Sequence, residues 1–279
     1  MLILYILLIV LLFLQINTLF GGQKLYYPFV NKGKQITKSS KIILAMSLRD
    51  CESNIKSIHS FYKYFCKHFD QVKLVVMENN SKDKTRQRLL NLKKEGVDID
   101  VVGCGLNAPV CNLQVDNSRT GCGKNRVRRM AYIRNILLDY MKHIQSSYDY
   151  CIVMDGDIKG RIETKGFLES IYYLKNRQDI DAIACYGLNN IDKYFLGQFY
   201  DGYAYEPEYG NQWFSQLLSH YMKGLVKVKS AFNGLVIYKL PFPDKLKYFE
   251  KTLTCEHISF HKHMNIYLNR DFLVHIDSH

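Results

Sequence analysis

No Cys-x-x-Cys pair occurs in this chain, which argues against a zinc ribbon or a thioredoxin-like redox motif. No Gly-x-x-x-x-Gly-Lys-Ser/Thr run occurs either, so a P-loop enzyme is disfavoured. Signatures of RNA- and DNA-binding modules are missing as well, and no nucleic-acid partner is expected. Acid is in short supply. The chain carries 26 Asp and Glu against 38 Lys and Arg, and the resulting formal charge of +12 suits anionic partners such as nucleotide phosphates or an anionic membrane surface. An apolar fraction of 47% argues for a folded chain over a disordered one. A length of 279 residues allows one large or two small domains.

The first apolar stretch also lacks something. Met1 to Phe20 is almost wholly apolar, yet no Lys or Arg precedes it and no small-residue cleavage site follows. Residues 1–22 are therefore expected to be an uncleaved transmembrane signal anchor, with the membrane contacted through residues 1–20. This predicts a single-pass membrane protein of the secretory pathway (Golgi or ER type) or of a viral or host membrane. Lys24, Lys32, Lys34, Lys38 and Lys41 all follow the segment and would draw the rest of the chain to the cytosol, whereas a lumenal enzyme needs the opposite orientation. Residues 23–40 read as a polar stem, and 41–279 as the folded domain.

Eight cysteines permit disulfides, and Cys104, Cys111 and Cys122 fall in one loop-like stretch. Cys151 lies inside an apolar run and reads as a small buried residue.

From Lys41 onward, strand and helix patterns alternate. Lys41–Leu48, Val72–Met77 and Val97–Val102 read as strands. Ile55, Ile58, Phe61, Tyr62 and Phe65 recur at helical spacing between the first two. A charged helix follows the second strand, with Ser81 or Asp83 as its cap. This alternation predicts an α/β fold with a mostly parallel central sheet. Gly103–Asn125 reads as a long irregular loop, of the kind that is often functional. A helix follows, with Met130, Ile133, Leu137, Tyr140 and Met141 on one face and Arg126, Arg129 and Arg134 near its start.

The apolar run Tyr150–Met154 reads as a buried strand, and it stops at Asp155-Gly156-Asp157. In open α/β sheets ligands sit at the carboxyl ends of strands. Two carboxylates there suit Mg²⁺ or Mn²⁺, which bridges substrate phosphates. The plainer reading is a polar turn, with Gly156 letting the backbone bend sharply.

Further on, Gly166–Lys175 reads as a helix and Ile180–Tyr186 as a strand. Tyr194, Phe195, Phe199, Tyr200, Tyr203, Tyr205, Tyr209, Trp213 and Phe214 are interleaved with Asp201, Glu206 and Glu208. They suit stacking on sugar faces or bases, or core packing. Val226–Ser230 and Ala231–Lys239 read as paired strands joined near Asn233-Gly234. Glu256, His257, His261 and His263 cluster late in the chain and suit metal binding or acid–base work. Zinc would prefer His257 and His261, four apart on a helix face.

Taken in order, these motifs resemble a D-x-D glycosyltransferase of the GT-A fold, a Rossmann-like nucleotide-sugar-binding fold, in its membrane-anchored, eukaryotic capsular mannosyltransferase-like form. Glu78-Asn79-Asn80-Ser81-Lys82-Asp83-Lys84-Thr85 is similar to the loop that helps hold the nucleotide there, which implies Glu78, Asn80 and Asp83 as nucleotide contacts. Asp155-Gly156-Asp157 matches the metal motif. Arg134-Asn135 is similar to an Arg-Asn pair in those proteins, and Phe232-Asn233-Gly234-Leu235 to their acceptor-side glycine segment. Cys255-Glu256-His257 sits where such enzymes place an acidic base and a metal-binding histidine. Arg49-Asp50 departs from the small residues usual in the first-strand loop.

The resemblance implies a metal-dependent transfer of a hexosyl or pentosyl group from a nucleotide-diphosphate sugar to a hydroxyl of a glycan or glycoprotein. Asp155 and Asp157 would hold Mn²⁺ or Mg²⁺ against the diphosphate. Arg128, Arg129 and Arg134 would contact phosphate. Glu256 would be the base of an inverting reaction. His257 is the preferred third metal ligand, with His261, His275 and His279 as alternatives. A metal-dependent nucleotidyl- or phosphotransferase also uses paired aspartates, and a membrane-tethered basic binding protein without catalysis is a third reading.

Overall fold

Short runs rich in Ile, Val and Leu fill a pleated strand well, and a run apolar on both faces needs cover on both. The computed structural model, which describes residues 28–113, 124–189, 198–212, 224–249 and 254–277, meets that need with one sheet between helices. β1 (Lys41–Leu48), β2 (Gln71–Glu78), β3 (Ile99–Val102) and β4 (Tyr150–Met154) alternate with α2 (Ile55–His68), α3 (Thr85–Lys94) and α4 (Lys124–Ile144). One face of β1, with Ile42, Leu44 and Met46, shares a core with Ile58, Phe61 and Phe65 of α2. The other face, with Ile43 and Ala45, shares a core with Ala131, Leu137, Leu138 and Met141 of α4. That division is the period-2 geometry of a strand at work.

The second half supplies β5 (Gly160–Ile162), α5 (Thr164–Asn176), β6 (Ala182–Asn189), β7 (Gln198–Phe199), β8 (Glu206–Pro207), β9 (Leu225–Ser230), β10 (Leu235–Lys239), α6 (Glu256–His261) and β11 (Ile266–Ile276). The main path of the sheet is β3-β2-β1-β4-β10-β6-β11-β9-β8. Strands β3, β2, β1, β4, β6, β11 and β8 run in one sense, with β10 and β9 against it. The fold is thus α/β with a mostly parallel central sheet, as expected. Because β2, β1 and β4 are neighbours, their carboxyl ends open on one edge, where the connections that follow them meet.

Three expectations are corrected. First, among the described residues no helix is long and apolar enough to cross a membrane. The anchor expected over 1–22 lies outside the described residues, and the expectation of a single-pass membrane protein is not carried further. Second, the stretch expected as a stem is folded from residue 28 onward. Within it α1 (Val30–Lys38) packs on α5 so closely that a Cβ at Gly33 would lie 2.0 Å from the Leu168 carbonyl oxygen. Phe29 stacks on Tyr172 at 4.2 Å, and its N–H donates to Glu169 Oε1.

Third, β9 and β10 are not a hairpin. β9 pairs with β11 and β8, while β10 runs between β4 and β6. Asn233 (φ 52°) and Gly234 (φ 84°) do make a left-handed turn. Its purpose is to carry the chain between distant parts of the sheet. The buried Asn233 side chain donates to the Cys185 carbonyl at 3.0 Å, and the Gly234 carbonyl accepts from the Asp155 N–H at 2.9 Å.

Candidate active site

A cleft of about 580 Å³ opens at the carboxyl ends of β1, β2 and β4. Ser47, Leu48, Arg49 and Cys51 reach it from β1 and the following loop, Asn79 from the end of β2, and Asp155, Gly156 and Asp157 from the end of β4. Helix α4 adds Arg126, Arg129, Met130, Ile133 and Arg134. Tyr200, Asp201, Tyr203, Phe232, Cys255, Glu256 and His257 complete it from the second half. Gly156 is required for space, not for an unusual backbone angle: a Cβ there would lie 1.8 Å from Leu48 Cδ2.

The cleft carries charge of both signs. Arg49, Arg126, Arg129 and Arg134 line it together with Asp155, Asp157, Asp201 and Glu256. Arg134, its side chain 10% exposed, lies between two of the acids, with Nε 3.2 Å from Glu256 Oε1 and Nη2 3.9 Å from Asp155 Oδ1. Its guanidinium also lies 5.2 Å from the Phe232 ring centroid and 6.0 Å from that of Tyr248. Asn135, the next residue, braces this wall by exchanging two hydrogen bonds with the Tyr248 backbone. Burial pushes the Asp155 carboxyl above its usual range; Arg134 opposes this, and Asp157, Asp201 and Glu256 add to it. Burial likewise raises the Asp201 carboxyl. A partly buried acidic cluster with one guanidinium among it favours the arrival of a cation.

Several buried polar atoms of the cleft have no hydrogen-bond partner: Ser47 Oγ, Asn79 Nδ2, Arg134 Nε and both ring nitrogens of His257. Buried polar atoms are nearly always paired, and exceptions call for a partner such as a bound water, ion or ligand. Ser47 and Asn79 lie at the ends of β1 and β2, and the aspartates at the end of β4.

The residues expected as catalytic, metal and nucleotide contacts divide into two groups. Asp155, Asp157, Arg134, Arg129, Glu256 and His257 come together in the cleft. Glu78, Asn80, Asp83 and Arg128 are not among its lining residues. Glu78 is buried, ion-paired to Arg86 at 2.5 Å, and accepts from the Ser81 N–H. Asn80 exchanges two hydrogen bonds with the Leu113 backbone. Asp83 accepts from the N–H groups of Glu52 and Thr85, holding the start of α3 to the first loop. Arg128 is exposed, one helix position away from the face that carries Arg126 and Arg129. Glu78, Asn80 and Asp83 build the loops around the cleft instead of lining it. Asn79, between two expected contacts, is the one that lines it.

The metal expectation fits in part. Among the described residues no three His, Cys, Asp or Glu side chains are grouped to hold a metal ion. His257 stacks on Phe232 at 4.1 Å and is 2% exposed, and burial holds its ring well below its usual pKa. Both nitrogens of His261 are engaged, Nδ1 with Ser230 Oγ at 2.9 Å and Nε2 with Tyr238 Oη at 2.8 Å, so the zinc reading of His257 with His261 falls. His275 instead faces Glu163 at 3.6 Å, and His279 lies outside the described residues. Asp155 and Asp157 remain, and Mg²⁺ or Mn²⁺ is commonly held by one or two carboxylates with substrate phosphates completing the shell.

The sequence did not single out Ser47, Asn79 or Cys51 for a role, whereas Tyr203 is one of the aromatics expected to stack on sugar faces or bases or to pack in the core. Of the first three only Asn79 had a signal, its place inside the loop motif. Of the cysteines, Cys104 and Cys111 form a disulfide that closes the loop after β3, and Cys122 lies outside the described residues.

No protein-family model and no curated protein sequence matches the chain. Solved structures do resemble it. S. aureus TarS 1–349 in complex with UDP-GlcNAc aligns at 14% identity and a TM-score of 0.49, over 86% of this chain and 59% of that one. The same protein without that ligand gives 16% identity and 0.48, and this chain spans 60% of its length. The mannosyltransferase PcManGT from Pyrobaculum calidifontis, in complex with GDP-Man and Mn²⁺, aligns at 11% identity and 0.48, over 95% of this chain and 66% of that one.

Proposed function

We propose that the protein is a metal-dependent glycosyltransferase that moves a sugar from a nucleotide-diphosphate sugar to a hydroxyl of a glycan or glycoconjugate. One observation carries the reading. The Asp155/Asp157 pair ends β4 inside a cleft whose neighbouring strand ends present unpartnered buried polar atoms of Ser47 and Asn79. A nucleotide laid over β1 and β2 supplies those partners and brings its diphosphate to the aspartates, the arrangement expected at the strand ends of an α/β sheet.

Asp155 and Asp157 would hold Mn²⁺ or Mg²⁺, whose chemistry is to neutralise charge on the departing phosphate. Arg129 and Arg126 face the same space and suit phosphate oxygens. Arg134, with Nε 3.2 Å from Glu256 Oε1, holds that carboxylate in place by its charge. In an inverting transfer Glu256 takes the acceptor proton as the acceptor oxygen bonds to the sugar carbon and the bond to phosphate breaks.

The test is thermal stability of the chain with UDP-, GDP- and CMP-sugars, each with and without Mn²⁺. A donor at 100 times its dissociation constant should add about 2.7 kcal/mol. We expect a metal-dependent rise with one nucleotide, lost in Asp155→Ala. No rise with any of them sinks the proposal. Release of pyrophosphate or nucleoside monophosphate in place of nucleoside diphosphate would favour the nucleotidyl- or phosphotransferase instead.

A further inference from the structure

Within the cleft, the turn that follows β7 is a built feature. Asp201 Oδ1 accepts from the Ala204 N–H at 3.3 Å and closes the turn. The Ala204 carbonyl accepts from Ser230 Oγ at 2.8 Å, and Ser230 Oγ meets His261 Nδ1 at 2.9 Å. Because the Ser230 proton goes to Ala204, Nδ1 must carry the ring proton and donate to Ser230. Nε2 then accepts from the Tyr238 hydroxyl at 2.8 Å. Burial pushes the His261 ring down to about 3, which keeps it neutral and this one-directional chain intact. Ser230, Ala204, Tyr238 and His261 are all buried. The chain therefore fastens the turn to β9, β10 and α6, the helix that also carries Glu256.

This anchored turn presents two kinds of surface to the cleft. Asp201 offers a carboxylate, and Tyr203, 46% exposed, offers an aromatic ring. A carboxylate accepts from neighbouring sugar hydroxyls, and an aromatic face covers the C–H face of a pyranose. The charge around them narrows the choice. An anionic acceptor arriving beside Asp201 would meet the charges that act on it and on Asp155, namely Asp157 and Glu256 with Arg134 among them. An uncharged ring rich in hydroxyls avoids that repulsion.

We propose that Asp201 and Tyr203 form the acceptor subsite and that it takes a neutral sugar ring at the end of a glycan. The proposal rests on the glycosyl-transfer reading above and adds to it the acceptor class and the residues that recognise it.

The experiment uses the full chain, Mn²⁺, the nucleotide sugar that gives the thermal shift, and an array of neutral, phosphorylated and uronic-acid glycans. Transfer to neutral glycans is expected. Asp201→Asn keeps an oxygen for Ala204 but removes the charge, and Tyr203→Ala removes the ring. Each should raise the acceptor KM at least tenfold while keeping the donor-induced thermal shift. Tyr209→Ala, a fully displayed tyrosine away from the cleft lining, is the control and should leave the acceptor KM unchanged. Transfer only to charged glycans overturns the proposal, as does an unchanged acceptor KM in both variants. A wild-type chain that binds a nucleotide sugar yet glycosylates nothing on the array overturns it too. If no nucleotide sugar shifts the wild type, the glycosyl-transfer reading itself falls, and that result is distinct from the others.

Discussion

Among the described residues stand two buried Arg–Glu pairs that differ in one respect. Arg86 and Glu78 lie 2.5 Å apart with side chains 8% and 1% exposed, and Arg134 and Glu256 lie 3.2 Å apart at 10% and 5%. The first pair is closed. Glu78 also accepts from Ser81, and Arg86 also donates to the carbonyls of Ala108 and Glu78. The second is open. Arg134 Nε has no hydrogen bond, Asp155 lies near the same guanidinium, and both members line the cleft. Burial and charge alone do not distinguish the two pairs; the state of hydrogen-bond satisfaction does.

The largest expected effect lies in the open pair. Glu256→Gln should lower the transfer rate by about 10² to 10⁴, the usual worth of a positioned acid–base group, with nucleoside diphosphate release as the measure. Its stability should change little, because Asp155 still faces Arg134. A large loss of folding stability at unchanged rate would erase the contrast between the pairs.

The closed pair should behave in reverse. Glu78→Ala leaves the buried Arg86 without its acid and should cost about 3–5 kcal/mol by urea unfolding. Replacing both partners with apolar residues, Glu78→Leu with Arg86→Met, should recover much of that loss. If the double variant is as weak as the single one, the pair does more than satisfy itself.

A smaller effect separates charge from shape. Arg134→Lys keeps the cation but loses the planar group that lies over Phe232 and Tyr248. The rate should fall about tenfold, between wild type and Glu256→Gln, because lysine does not replace a stacked, forked guanidinium.

How much of this could be read from sequence follows from the range of the interactions. Lys41–Leu48 and Tyr150–Met154 are strands with the expected bounds because their signal is local and apolar on both faces. Asp155 and Asp157 are at the strand end for the same reason. Glu78, Asn80 and Asp83 sit in the right loop, but their partners Arg86, Leu113, Glu52 and Thr85 decide which way they face, and a motif does not carry that information. Asn233-Gly234 is legible as a turn and not as a connection, since the strands on either side find partners elsewhere in the sheet. The helix over 30–38 has polar residues throughout and no visible reason to dock until Leu168, Glu169 and Tyr172 are in place. Asp201 and Tyr203 reach the cleft only through the buried chain from Ser230 to Tyr238.

The smallest effect extends the comparison from pairs to pH. Asp100 is a third buried acid, paired with Lys73 at 2.8 Å and Lys93 at 3.0 Å, and hydrogen-bonded by Tyr140 and Asn107. Burial by itself would raise its carboxyl, but these partners hold it well below the usual range. The unfolded chain then binds the proton more readily than the folded one, so stability is complete above about pH 4 and falls as pH drops further. Asp201 lies in the cleft, and burial moves its carboxyl the other way. Its contribution is complete below about pH 4 and is lost as pH rises through the folded value. In chelated, ligand-free buffer at neutral pH, Asp100→Asn should therefore lower the urea midpoint and flatten its fall in acid, while Asp201→Asn should raise the midpoint. Both variants shifting the same way would mean that the cleft acids are held by partners as complete as those of Asp100, and the distinction between closed and open sites would fail at its most sensitive point.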